Sequence, residues 1–426
     1  MHVLLSGILL LAASRSAQAP IRLEERLTPN LAYHVSCRVQ LVGKMSVPDK
    51  TLDIEGKSEI EYDERILRQS ASGAVDKTLR LFAKMEFERK IGSDQQKLAL
   101  RPAVHRLVIL RQNNIEAPFS PDALLKLTEI DLIRTDVFTP ALAGLLPKGN
   151  VIPGDTWKAD EASTRELTDL TQITAGELNC RFDKVDRHLA KISFVGSIGG
   201  VGENGPTRHD LDGFCYFDLN ANMLTYVSLK GTEHLANEKE RSQGKVTGTF
   251  VLTREPKAAP AAIAAEINLN LDPNEDNTRL LFEDDEIGVR FAHSRKWKPR
   301  IEGSQVRLED LRGNGMVLSI DALNRTPTMQ QFLDEARLGI QRRKATVAFV
   351  GPKQPVQREP TNVEMLSLDV DMPADAPSQR GIVVLAIVRD EAVGATLAAT
   401  LLTNDRATVA RDVERIATSI RLARPR

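Results

Sequence analysis

YHVSCRVQL (33–41) and LDIEGKSEIEY (52–62) are the two stretches that decide the fold. In the first, Tyr33, Val35, Cys37, Val39 and Leu41 alternate with His34, Ser36, Arg38 and Gln40. In the second, Leu52, Ile54, Ser58, Ile60 and Tyr62 alternate with Asp53, Glu55, Lys57, Glu59 and Glu61. A period of two with one apolar face marks strands of an antiparallel sheet whose other face is wet. Further strands are expected near 74–88, 98–110, 177–187, 189–198, 209–219, 223–231 and 245–254. Between these groups, Ser120-Pro121 and Thr139-Pro140 each set an N-cap residue before a Pro at a first helical position. The expectation for residues 20–255 is a long curved antiparallel sheet with a helical insert. The gap between sheet and insert either holds apolar cargo or is filled by Leu124, Leu127, Ile130 and Leu142 of that insert.

Outward from this module the composition shifts. Residues 256–265 read PKAAPAAIAA and 272–278 read DPNEDNT, so 256–279 is expected to be a linker. A second module follows at 280–422. Hairpin-length segments come first, with a tight turn at Arg312-Gly313-Asn314-Gly315. A helix is signalled from Thr328, which has capping-box spacing to Gln331, and Met329, Phe332, Leu333, Ala336 and Ile340 make its apolar stripe. Strands recur near 346–350, 363–371, 380–389 and 394–403. A closing helix carries Val409, Val413, Ile416, Ala417 and Ile420 on one face. The fold class is α+β, with an antiparallel sheet and packed helices in this second domain.

The whole chain agrees with this picture. Its 426 residues suggest two to three domains. The 57 Lys+Arg against 58 Asp+Glu give a net charge of −1, which removes the footprint of a nucleic-acid binder. Aromatics at 4% argue against a stacking platform, and 3 Cys exclude a disulfide-dense scaffold or a four-Cys zinc site. Val3 to Ala13 form one apolar run, followed by SRSAQA. The run is too short for a membrane span and reads as the core of a signal peptide, residues 1–19. No later stretch reaches span length, so the expected address is periplasmic or extracellular.

Two resemblances rest on short motifs. EIGVRFAHSRKWKP (286–299), Ile320 with Pro327-Thr328, and the final Ala417-Thr418-Ser419-Ile420 resemble the PsbP-like fold over about a third of the chain. The first module, in LLPKGNVIPGDTW (145–157) and LDGFCYFDLN (211–220), resembles a group of exported bacterial β-rich proteins of no known activity. These likenesses imply architecture and export, not a reaction, since fold does not carry function.

No linear motif names a reaction. Gly200, Gly202 and Gly205 match G-x-G-x-x-G, but Pro206 and another strand follow where a dinucleotide site needs a helix. A Gly-rich connection between strands is the better reading. VGSIG (195–199) misplaces its Ser for a nucleophile elbow. Asp272, Asn274, Asp276 and Glu283 fall at positions 1, 3, 5 and 12 of an EF-hand-like loop and are a weak candidate calcium site. Asn277 replaces the usual Gly and a strand follows, which favours an acidic linker. Cys37, Cys180 and Cys215 share faces with apolar residues and are expected to be buried free thiols. Trp157 and Trp297 are expected to plug cores rather than to mark sites.

The reading is an exported, non-catalytic binding or structural-interaction protein, with no assigned catalytic residue or cofactor. Its partner is expected to be a protein or another envelope component. The alternatives are a periplasmic carrier of lipid or other apolar cargo in the first domain, and a hydrolase without a linear motif.

Overall fold

A computed structural model describes residues 19–426, apart from 48–49, 113–114, 203–204, 237–241, 266–268, 359–360, 373–379, 392, 403–405 and 424–426. The expected signal peptide lies outside the described residues, save for Ala19. The protein is mostly antiparallel sheet, in several open sheets, with few helices. Two compact units divide the chain. The first is residues 1–98, 111–115 and 136–266; the second is 99–110, 116–135 and 267–426.

In the first unit the strands lie side by side in the order Val75–Ile91, Lys50–Gln69, Ala32–Val47, Ser242–Pro256, Met223–Ala236, Gly205–Asp218, Leu189–Gly202, Gln172–Asp186, Thr156–Lys158. Two meanders therefore join where Ala32–Val47 pairs with Ser242–Pro256, with Val35 opposite Arg254 and Met45 opposite Gly244. The alternation read in the sequence is the alternation of the sheet. Val35, Cys37, Ile60 and Tyr62 are buried, and Arg38, Glu59 and Glu61 are exposed. Most strands run longer than expected, because the ladders continue into polar and Gly-rich ends such as Gly199–Gly202. The segment expected as one strand at 98–110 is two, Asp94–Ala99 and Arg106–Gln112, split by a single turn at Pro102–Val104. Pro102 has no N–H for a ladder and starts the turn instead.

The helical insert is smaller and differently capped than expected. Ser120 opens no helix; its hydroxyl accepts from the Asp122 amide, and the helix Leu127–Ile133 starts later. There the Glu129 carboxylate accepts the Lys126 backbone N–H. Thr139 lies inside a 3-10 helix, Thr139–Leu145, rather than before it, because its hydroxyl is drawn to Glu64. Leu142 is buried in the first unit. Leu124, Leu127 and Ile130 belong to the second unit, and Leu127 is half exposed. The first sheet is thus covered by 136–146 and by the helix Glu161–Thr168, whose Asp160 caps the Ser163 amide at 2.8 Å.

In the second unit the strand order is Lys298–Glu302, Gln305–Glu309, Gly315–Ala322, Val393–Leu402, Arg380–Arg389, Thr361–Asp371, Thr346–Val350. Thr328 and Gln331 cap each other as their spacing predicts, and the helix Met329–Arg342 follows. Its Leu333 and Ile340 pack with Leu366, Leu368, Leu385 and Ile387. The helix Arg406–Ser419 packs Val409, Val413 and Ile416 with Ile382, Val384, Ala386 and Val388. Alternate residues of one strand therefore enter two cores. This is why GIVVLAIV (381–388) is continuously apolar in an antiparallel sheet, where one wet face is more usual. Trp297 is buried in the second of these cores.

Candidate functional site

The first sheet carries ionisable residues on its apolar face at the covered end. Glu64 follows Ile60 and Tyr62 in parity, so the pleat turns it inward. It stands opposite Tyr33 on one neighbour and Arg80 on the other. The Tyr33 hydroxyl donates to Glu64 Oε2 at 2.5 Å and Thr139 donates to the same oxygen at 2.9 Å. Arg80 Nε donates to Glu64 Oε1 at 2.7 Å and Nη1 to Asp136 Oδ2 at 2.8 Å. Its guanidinium also lies 4.6 Å from the Tyr62 ring centre. Nearby, Arg254 covers the Tyr33 ring at 4.4 Å and pairs with Glu25 at 2.8 Å.

Burial and charge set the protonation of this group. Burial pushes Glu64 up, but Arg80 and the hydrogen bonds from Tyr33 and Arg80 outweigh it and hold it below its usual value. Asp136 is pushed up to about 6 by burial, against the pull of Arg80. Glu64, Arg80 and Asp136 side chains are fully excluded from solvent. A substrate cannot reach them, and a buried ion pair with all partners nearby specifies geometry rather than chemistry. The group fastens 136–139 to the sheet: Arg80 holds Asp136 and Val137, and Glu64 holds Thr139.

Beyond the row of Cys37, Ile60, Met85, Leu252 and Cys215, the same face is only half covered. Val39, Leu41, Met45, Leu52, Ile54, Phe87, Val246 and Phe250 are all of intermediate burial. The register brings them into neighbouring rows, such as Phe250–Val39–Ser58–Phe87 and Val246–Gly43–Ile54–Ile91. Gly248 leaves room for the Leu41 side chain, whose Cδ2 lies 2.7 Å from where a Cβ would stand. His209 and Glu233 interrupt this apolar surface, in register with Ile198 and Val246.

The opposite, polar face brings Ser197, Asp210 and His234 together. Ser197 Oγ donates to Asp210 Oδ1, and His234 Nε2 lies by Oδ2, each at 2.7 Å. The carboxylate sits between hydroxyl and imidazole, so the serine meets Asp210 and not the imidazole, unlike a triad with His in the middle. A groove of about 340 Å³ at this end of the sheet is lined by residues of both faces, among them Gln40, Leu41, Lys57, Glu88 and Arg89.

The candidate calcium residues are placed as follows. Asn274 Oδ1 accepts the amides of Asp276 and Asn277, and Glu283 pairs with Lys126 at 2.7 Å. Among the described residues, no three His, Cys, Asp or Glu side chains come together as a metal ion requires. Gly202 and Gly205 pair across a hairpin between two strands. All three cysteines are free and buried, and burial pushes the Cys180 thiol up to about 12. Trp157 is half-buried and donates to the Leu145 carbonyl at 2.9 Å. No described helix is long and apolar enough to cross a membrane.

No family model and no curated protein matches the chain. Solved structures offer weak likenesses. Cyanobacterial PsbP (CyanoP) from Synechocystis sp. PCC 6803 is 12% identical, with a TM-score of 0.27 over 34% of this chain and 92% of that one. The translocator domain of autotransporter NalP from Neisseria meningitidis is 8% identical, at a TM-score of 0.13 over 88% of each chain. OprB of Pseudomonas putida is 6% identical, at a TM-score of 0.13 over 87% of this chain and 92% of that one. The PsbP-like resemblance is therefore matched by a weak structural likeness and by no sequence match, and none of these likenesses carries an argument about function.

Proposed function

We propose that the protein is an exported, non-catalytic binding protein that takes an apolar cargo on the half-covered face of its first sheet. One observation carries this reading. A set of aliphatic and aromatic side chains in neighbouring rows (Val39, Leu41, Met45, Leu52, Ile54, Phe87, Val246 and Phe250) is not packed away. Apolar patches of this kind mark ligand or partner sites. The charged residues of the same face support the reading by what they do. Arg80 and Glu64 hold the cover at the other end, with both side chains excluded from solvent.

The test is binding of a long-chain alcohol, hexadecanol, to the full chain, followed by native mass spectrometry and titration. A one-to-one complex is expected, weakened about tenfold or more by Leu41→Gln with Ile54→Gln, since each removes apolar contact area. Absence of any complex, or equal binding by the double variant, overturns the proposal.

A further inference from the structure

Glu233 is the one described carboxylate on a mostly apolar surface, separated by three strands from that face's exposed Arg89, which stands in register with Gly56 and Leu41. Its row runs Ile198, His209, Glu233, Val246, Gly43, Ile54, Ile91. A charge in such a setting is costly unless it meets an opposite charge. The described cations on the neighbouring strands at this end, Lys230, Lys245 and Lys44, belong to the opposite parity and face. Among the described residues no Lys or Arg pairs with Glu233. It has the Thr207 hydroxyl at 3.2 Å and His209 Nε2 at 4.0 Å. Burial holds the His209 imidazole below its usual pKa, against the pull of Glu233 and Asp210, so it is a neutral neighbour at pH 7. The His209 side chain is 12% exposed and that of Glu233 is 35% exposed. Glu233 is thus the group a ligand would meet, with His209 and Thr207 setting its position.

The face is long enough for an extended alkyl chain. From Leu52 to Ser58 the open rows extend about 20 Å along the strands, at ~3.3 Å per residue. From Gly205–Asp218 to Val75–Ile91 the face is five strand spacings wide, about 24 Å at ~4.8 Å each. We infer that Glu233 is the head-group site of the apolar face, and that the cargo is a single-chain amphiphile with a cationic amine head. This rests on the binding face proposed above and adds the chemistry of its polar end. The amine would donate charge-assisted hydrogen bonds to Glu233 while the chain lies over Val246, Leu41 and Ile54.

Three probes of equal chain length separate the two claims: hexadecylamine, hexadecanoic acid and hexadecanol, titrated against the full chain. The amine is expected to bind at least about tenfold more tightly than the acid. Glu233→Gln is expected to erase that preference and Glu233→Lys to invert it, with hexadecanol binding unchanged and thermal melts confirming that both variants fold. Equal binding of amine and acid to the wild type, or a preference that survives Glu233→Gln, overturns the head-group assignment while hexadecanol binding leaves the apolar face standing. If none of the three binds, both proposals fall together.

Discussion

Asp136 shows how one residue can set the pH response of a unit. Its carboxyl titrates near 3.8 when unfolded and is pushed up to about 6 by burial. Between those values the folded state holds a proton that the unfolded chain has lost. Its contribution to stability is therefore fully present below pH ~4 and is lost as pH rises through about 6. Glu64 runs the other way, since its pKa is held below 4.5; its contribution is present above that value and fades in acid. Asp136→Asn keeps an acceptor for Arg80 and removes the ionisation. Urea denaturation at pH 7.5 is expected to show the variant more stable than wild type by up to about 3 kcal/mol, with the gap closing near pH 4. A constant gap across that range would show that Asp136 does not titrate there. Glu64 was legible in part: it continues the parity of Ile60 and Tyr62, so an inward carboxylate follows from the alternation alone. Asp136 was not legible, because its burial depends on a partner, Arg80, some fifty residues away in sequence.

At the scale of elements, the hairpins were legible and the joins were not. Period-two alternation located the long strands, because pleat geometry is local, but not short ones such as Ile115–Phe119, Thr156–Lys158, Lys298–Glu302 and Gln354–Arg358. The pairing of Ala32–Val47 with Ser242–Pro256 was not visible, since nothing local encodes a partner so distant. The prolines misled for a related reason: Thr139 has cap chemistry but is claimed by Glu64 from another strand. Glycines give that long-range pairing a test. A Cβ at Gly43 would stand 2.4 Å from the Lys245 carbonyl oxygen, a backbone atom that moves only if the two strands part. A Cβ at Gly248 meets instead the tip of the Leu41 side chain, which can rotate away. Gly43→Ala is expected to cost about 1–3 kcal/mol and Gly248→Ala clearly less, as measured by denaturant midpoints of the two variants. The reverse order would mean that the two strands are not held in this register.

For the whole molecule, the division into units departs from the order of the sequence. The linker expected at 256–279 looks like a place to cut, yet the second unit also includes 99–110 and 116–135. Within that unit the Leu281 amide donates to the Leu125 carbonyl at 2.8 Å, and Lys126 pairs with Glu283. Arg295 also donates to the Pro118 carbonyl. A fragment of residues 280–426 lacks these partners. It is expected to melt below the corresponding transition of the full chain, and a fragment that melts at the same temperature would show that the early segments add nothing. Composition and charge argue against whole classes of function at this scale. They could not reveal that one open end of an apolar face holds a lone carboxylate, because that depends on which strands are neighbours.

The join between the first strand group and the last strand also sets a timetable. Until Ser242–Pro256 has been made, one edge of Ala32–Val47 has no partner. Roughly 200 residues separate the two, which takes about 10–40 s at ~5–20 residues per second of synthesis. Throughout that interval an alternating, β-branched strand edge is free to pair with any other chain. Closing so long a loop also raises contact order and slows folding. A polypeptide with this topology gains from staying unfolded until all the strands are present at once.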